Sequence, residues 1–365
     1  MSDYIVAVDA GNGFTNAARL KGKKIDRIGF PSVRATVTGD SLGLGAQFEI
    51  DIDYLMWGGF RYVVGDAVFL SGKAVERHQG AFRYGDEFWI FLVATALGKL
   101  LPKKGGSVDL TVFAPPSLYF DARKAITKRI ELMEHHIPIA FKGDKSPRVF
   151  TIERLTVHPE GLGAVAAFAL DNQGQEVQSD VLDGRTLVLD LGMYTLDALL
   201  IEDGQFNPES LQSATFEGQG IRAHILERML AKVKKAGEDF ALMTPDHMDA
   251  ILRQGLNTGD YVLHSGRSEV DLAELVSKLA ERYAGYIANT IIDGSFDGLR
   301  GMRQVILVGG GAALVSQYLE NYYPEGKVLK LSQYKHVASI PAMELNAVGG
   351  LRLAKARLMA LQTTR

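Results

Sequence analysis

Two segments of the chain carry one pattern: Val6-Ala-Val-Asp-Ala-Gly-Asn-Gly-Phe-Thr15 and Leu187-Val-Leu-Asp-Leu-Gly-Met-Tyr-Thr195. In each, an apolar run ends in Asp-x-Gly, a Thr follows within a few residues, and a second apolar run continues. The first run reads as a buried strand and the Asp-x-Gly as a tight turn into the next strand. Glycine in such a turn lets backbone N–H groups approach a ligand that a Cβ would keep away. Either segment alone reads equally as a plain hairpin with Asp as turn former. Two of them, one in each half, point to two domains of similar topology that grip the phosphates and metal of one nucleotide from opposite sides.

The bulk composition agrees with two packed domains. A chain of 365 residues exceeds one ordinary core, and 47% hydrophobic content excludes disorder as the general state. Forty basic residues against 43 acidic leave a net charge of −3, so no bulk attraction to nucleic acid or to a membrane surface is expected. Cysteine is absent, which removes disulfides, thiolate metal sites and cysteine nucleophiles. The start Met-Ser-Asp-Tyr lacks the pattern of a signal peptide, and no apolar run reaches a membrane span. A cytoplasmic location is the expectation.

Periodicity predicts strands at 4–9, 14–20, 24–30, 60–64, 108–114, 137–142, 147–157, 186–190, 194–202 and 304–308, with a further one within 205–215. Helices are expected over 86–101, 119–134, 164–170, 220–236, 244–254, 269–293 and 343–362. No element is assigned to 35–57, and 171–184 reads as a loop. The stretch Phe88–Leu101 interrupts its apolar run with Gly98 and Lys99, and so reads as a core helix.

Beyond the two hairpins, four features bear on chemistry. Gly309-Gly310-Gly311 stands between an apolar strand and Ala312-Ala-Leu, and three glycines in a row suit close approach by a ribose, α-phosphate or base. Glu160, in His158-Pro-Glu-Gly, is either an acid favoured at a helix start or a carboxylate that orients an attacking water. Asp197 follows Thr195 by two and shares its strand face, as a second acid of the site or a solvated edge charge. Glu217-Gly-Gln-Gly220 is a nucleotide-facing helix start or a loop. The histidines, His135 and His136 included, show no metal-ligand spacing.

In this order and at these separations, the motifs resemble the actin/Hsp70/sugar-kinase superfamily. Asp9-Ala-Gly-Asn-Gly-Phe-Thr15 is similar to its first phosphate loop, Asp190-Leu-Gly-Met-Tyr-Thr195 to its second, and Leu307-Val-Gly-Gly-Gly311 to its adenosine motif. His158-Pro-Glu-Gly-Leu-Gly-Ala164 and Leu345-Asn-Ala-Val-Gly-Gly-Leu351 resemble its two connecting helices. Phe30-Pro-Ser-Val33, Glu160 and Asn346-Ala-Val-Gly349 point within it to prokaryotic actin-like proteins of the ParM plasmid-segregation type and an archaeal actin homologue.

The resemblance implies an α/β fold of two ribonuclease-H-like domains with a nucleotide cleft between them. The first would span 1–158, completed by the C-terminal helix 343–365, and the second 159–342. It implies ATP (or GTP) with Mg²⁺, held through Asp9 and Asp190. Gly11, Asn12, Gly13, Phe14, Thr15, Asn16, Gly192, Met193, Tyr194 and Thr195 would line the phosphates. Gly309, Gly310 and Gly311 would face the adenosine, with Gly218 and Gly220 near the sugar or base. Glu160, Asp190 and Asp9 would carry hydrolysis, as a slow ATPase.

It further implies self-assembly into filaments and a cytoskeletal or plasmid-segregation role through a DNA-binding adaptor protein, without direct nucleic-acid contact. One departure stands out: actin carries a lysine at the position of Asn16, and Arg19 is the cation nearest in sequence to replace it. The competing reading is a metabolic phosphotransferase, sugar kinase or exopolyphosphatase on the same fold, with Asp66 or Asp86 as base.

Overall fold

The apolar runs seen in the sequence become the central strands of two α/β units in the computed structural model, which describes residues 2–37, 53–70, 74–78, 80–206 and 215–363. One unit comprises Met1–Val177 with Asn346–Arg365, the other Gln178–Leu345. The division expected from the sequence fell at 158/159. Residues 159–177 instead pack in the first unit, because the helix Leu162–Ala169 follows directly on a strand of that unit's sheet and lies against its last helix, Leu345–Thr363.

The first unit contains β1 (Tyr4–Ala10), β2 (Phe14–Lys21), β3 (Lys24–Pro31), β4 (Arg34–Thr36), β5 (Leu55–Trp57), β6 (Phe60–Val64), β7 (Gly106–Ala114), β8 (His136–Phe141) and β9 (Arg148–Pro159). They form one sheet in the order β3-β2-β1-β7-β9-β8-β5-β6-β4. β1, β2 and β3 are an antiparallel meander, whereas β1, β7 and β9 run parallel. β1 and β7 are buried over most of their length, as strands covered on both faces are, whereas β9 mixes buried apolar residues with exposed polar ones.

One cover is the helix Glu87–Leu100, buried nearly all round. Asp86 starts it by accepting the Trp89 N–H at 2.6 Å, satisfying an amide that the first turn leaves open. Gly98 gives it close approach, since a Cβ there would run into the Phe141 ring. That Asp86 also meets His78 Nδ1 at 2.6 Å, so it serves as a helix cap with a partner of its own.

The second unit repeats the arrangement. Its strands are β10 (Arg185–Leu191), β11 (Thr195–Glu202), β12 (Gln205–Phe206), β13 (Thr215–Glu217), β14 (Val262–Ser265), β15 (Ser268–Asp271) and β16 (Met302–Val308). β10 pairs antiparallel with β11 and parallel with β16, as β1 does with β2 and β7. β12 and β13 both pair with β11. The third strand expected within 205–215 lies largely outside the described residues, as does most of 35–57.

Two expectations are corrected here. The helix predicted over 269–293 begins at Ala273; before it, β14 and β15 form a hairpin. That helix ends at Tyr286, continues as a π-helical turn over Ile287–Ile292, and a short helix Asp293–Phe296 follows. The helix expected over 220–236 likewise opens with a π turn, Arg222–Leu226, before Glu227–Lys234. A helix not foreseen, Ala312–Leu319, follows the glycine run.

Candidate functional site

In the first unit the candidate residues collect at the carboxyl ends of the three parallel strands, where open α/β sheets present their ligand sites. Asp9 is the penultimate residue of β1, Glu160 follows β9, and Ala114, which ends β7, accepts the Glu160 N–H at 2.8 Å. Asn346, fully buried at the start of the last helix, joins them. Its Nδ2 donates to Asp9 Oδ2 at 3.2 Å and its Oδ1 accepts the Gly161 N–H at 3.0 Å. The Glu160 carboxylate takes a further hydrogen bond, from the Tyr84 hydroxyl at 3.2 Å.

The turn between β1 and β2 is held from below. Ser32 donates its hydroxyl to the Gly11 carbonyl at 2.7 Å and its N–H to the Gly13 carbonyl at 3.0 Å. Thr15 Oγ1 lies 2.9 Å from Ser32 Oγ and is fully buried, so its hydroxyl braces the turn from inside. A Cβ on Gly11 would come within 2.9 Å of the Phe14 carbonyl, which explains that glycine by the tightness of the turn itself. Asn12 Oδ1 is buried without a hydrogen-bond partner. Asn16 is buried opposite Asp9 in the hairpin register. Arg19 is bound to Asp26 of the neighbouring strand through Nε at 3.0 Å and Nη2 at 2.7 Å.

The second unit places Asp190 opposite Asp197, at the register that Asp9 and Asn16 hold in the first. Asp197 is no solvated edge charge. It is 3% exposed and accepts hydrogen bonds from Thr195 Oγ1 at 2.8 Å and Thr215 Oγ1 at 2.5 Å. The turn closes by Gly192 N–H to Thr195 carbonyl at 3.0 Å.

Residues 192–194 then organise the following helix: the carbonyls of Gly192, Met193 and Tyr194 accept the N–H groups of Ile221, Arg222 and Gly220. The close approach requires Gly220, whose Cβ would lie 2.5 Å from the Met193 carbonyl oxygen. Gly218 has a φ of +70° and open space around it. Arg222 Nη1 donates to the Tyr194 hydroxyl at 3.1 Å and its Nε pairs with Glu227 at 3.1 Å.

The glycine run divides by role. At Gly309 a Cβ would run into Asp190 Oδ1, and at Gly311 it would sit 2.8 Å from Leu191 Cβ, so both are demanded by packing against β10. Gly310 alone faces open space. The aromatic cluster behind this region holds His224, stacked 4.4 Å from Tyr283 and bonded through Nε2 to Gln219 Oε1 at 2.9 Å. Burial pushes its imidazole below the ordinary value, and Arg228 adds to the effect.

Each unit, taken by itself, carries one carboxylate of a kind that a hydrated magnesium ion can use. Among the described residues, no cluster of three or more His, Cys, Asp or Glu is placed to hold a metal alone. Mg²⁺ keeps several waters and takes one or two carboxylates beside substrate phosphates. Asp9 in one unit and Asp190 in the other, each at the end of a parallel strand beside a glycine turn, are carboxylates of that kind. Composition and spacing singled out these acids, but did not reveal Asn346, Ser32, Arg83 or Tyr84 as members of the site. Ser32 and Asn346 stood within quoted motifs; Arg83 and Tyr84 carried no sequence signal.

Comparison with known proteins places this geometry in a family. Residues 7–163 match the family profile described as the N-terminal domain of actin-like proteins, and residues 188–321 match the C-terminal domain of the archaeal, MreB-like actin homologue. No curated protein sequence matches the chain significantly. Among solved structures, the archaeal actin homologue Ta0583 superposes with a TM-score of 0.72 at 24% identity, over 98% of this chain and 100% of that one. It has also been solved in complex with ADP, at a TM-score of 0.71 and 23% identity over 96% and 99%.

The apo pSK41 ParM protein gives 0.67 at 15% identity, over 99% of both chains. A subunit of a 15-stranded ParM filament from Clostridium botulinum gives 0.65 at 18%, over 97% and 99%. At these identities the likeness shows the fold, which is actin-like and two-domain. Among the described residues, no helix is long and apolar enough to cross a membrane. Both halves match profiles of one kind, and on that ground the chain belongs to the actin-like proteins.

Proposed function

We propose that the protein binds and hydrolyses ATP with Mg²⁺ and assembles with copies of itself into filaments in the cytoplasm. The observation that carries the reading is the convergence, within the first unit, of Asp9 and Glu160, at the ends of the strands β1 and β9 that flank β7, with Asn346 at the start of the last helix. Asp9 holds its orientation through Asn346 and, with Asp190, supplies the carboxylates that suit a hydrated magnesium ion; the ion's part is to neutralise phosphate charge. The N–H groups of the turns 11–14 and 193–194 line the phosphates, and Gly310 leaves room for the adenosine.

Glu160 is bonded by Tyr84 on one side and fixed by its own N–H on the other, and it orients the attacking water. Phosphoryl transfer depends mainly on positioning and electrostatics, so one placed acceptor suffices. Asp197, tied up by two threonines, shapes the second turn. Kinship with proteins solved with ADP and as a ParM filament supports nucleotide binding and polymerisation. A role in moving DNA through an adaptor protein is the cellular setting we infer.

The sugar-kinase alternative finds less support: Asp86, a candidate base for it, is a helix cap bound to His78. Replacing Glu160 by Ala should lower ATP turnover by about a hundredfold, in the range of a lost acid–base or water-positioning group. Nucleotide binding and a rise in light scattering with Mg²⁺-ATP should persist. Unchanged turnover, with GTP run in parallel as competing substrate, would remove Glu160 from this role. Sugar-dependent ADP release without scattering would favour the kinase.

A further inference from the structure

Arg83 lies in the short turn Ala81–Arg83, next to a Phe82 that is 97% exposed, and is itself only 3% exposed. Its guanidinium carbon sits 4.3 Å from the centre of the Tyr84 ring. Nη2 donates to the Ala10 carbonyl at 2.6 Å and to the Tyr84 hydroxyl at 3.0 Å, and that hydroxyl donates in turn to Glu160. Nε is buried with no hydrogen-bond partner.

A buried cation ordinarily has an anion beside it and its donors filled. The other buried arginines of this unit follow that rule: Arg34 pairs with Glu76 and Glu87, and Arg148 with Asp144. Arg352 fills Nε, Nη1 and Nη2 with Asn172 and the carbonyls of Ala167 and Leu170, and feels the charge of Asp171. Arg83 has neither among the described residues. Its one backbone partner, Ala10, stands between Asp9 and Gly11 in the first Asp-x-Gly turn.

We propose that Arg83 binds a phosphoryl group at the first turn, the terminal one of the nucleotide. This rests on the nucleotide-binding reading above. The terminal phosphoryl is singled out because Arg83 shares the Tyr84 hydroxyl with Glu160, the group assigned to the attacking water. The same contact makes Arg83 the cation that Asn16 does not supply.

The test is binding of AMP-PNP and of ADP, each with Mg²⁺, by calorimetry to wild type, Arg83→Gln and Arg83→Lys. Loss of a charge-assisted, forked contact should weaken AMP-PNP binding by about tenfold or more, with ADP changed by no more than about twofold. Equal losses for both ligands, or none for either, would overturn the assignment of Arg83 while leaving the nucleotide site intact. A wild-type chain that binds neither ligand would overturn the reading beneath it as well. Should the variants not fold, amide exchange on wild type decides: residues 82–84 should be protected more by AMP-PNP than by ADP, and equal protection contradicts the proposal.

Discussion

His158, next to last in β9, lies half-buried beside Phe113, and lost hydration there, with Arg357 and Arg123 adding repulsion, pushes its imidazole from 6.5 down to about 4. The unfolded chain therefore takes up this proton first on acidification. The stability that a neutral His158 represents is complete above pH 6.5 and drains away as pH falls toward 4, to a total of about 3 kcal/mol. Chemical denaturation of His158→Gln across that range should show a flatter acid limb than wild type, and identical slopes would count against the account. At the same scale lies what the sequence hid. Asp9, Asp190 and Glu160 were legible because each sits in a local pattern of strand, turn and glycine. Arg83 and Tyr84 were not, since their partners Ala10 and Glu160 are distant in sequence and no spacing announces them. Asp197 was legible as a face-mate of Thr195, yet its burial depends on Thr215, which only the sheet brings near.

Two helices of the first unit meet through glycine. A Cβ on Gly349, in the last helix, would run into the Gly163 carbonyl, and a Cβ on Gly163 into the backbone of Asn346. That crossing sets where Asn346 presents its amide to Asp9. Gly349→Val should destabilise the unit by several kcal/mol, on the order of 3 or more, because backbone rather than a flexible side chain must move. Thermal unfolding checks it; a midpoint within a degree or two of wild type (against the shift such a loss implies) would mean the helices separate freely. Among the elements, alternation and apolar runs exposed the central strands, whose burial on both faces leaves a strong signal. Of the hairpin β14–β15, β15 was absorbed into the helix predicted over 269–293 and β14 went unassigned, because both strands are short and half-polar and directly precede a strong helical period. The π turns have no compositional signature; each inserts a residue into a run whose side chains still read as α-helical.

For the molecule as a whole, the duplicated Asp-x-Gly hairpin was the feature that carried the architecture, since each copy occupies the same place in its sheet: antiparallel to the next strand, parallel to a later one. Length and composition indicated two domains but not where they divide. The boundary follows the packing of Leu162–Ala169 and of the returning C-terminal helix, neither visible as a composition shift. The asymmetry between the copies is equally structural. The first turn rests on Ser32 and has Asn16 opposite its acid, whereas the second carries Asp197 opposite and anchors a helix through Gly220.

If both turns serve one nucleotide, as proposed above, calorimetric titration of Mg²⁺–AMP-PNP into wild type, Asp9→Asn and Asp190→Asn measures it directly. The account predicts one nucleotide per chain, with affinity reduced in each variant by about tenfold or more, as for a lost charge-assisted contact. Two independent sites per chain, or a variant that binds as wild type does, would contradict it.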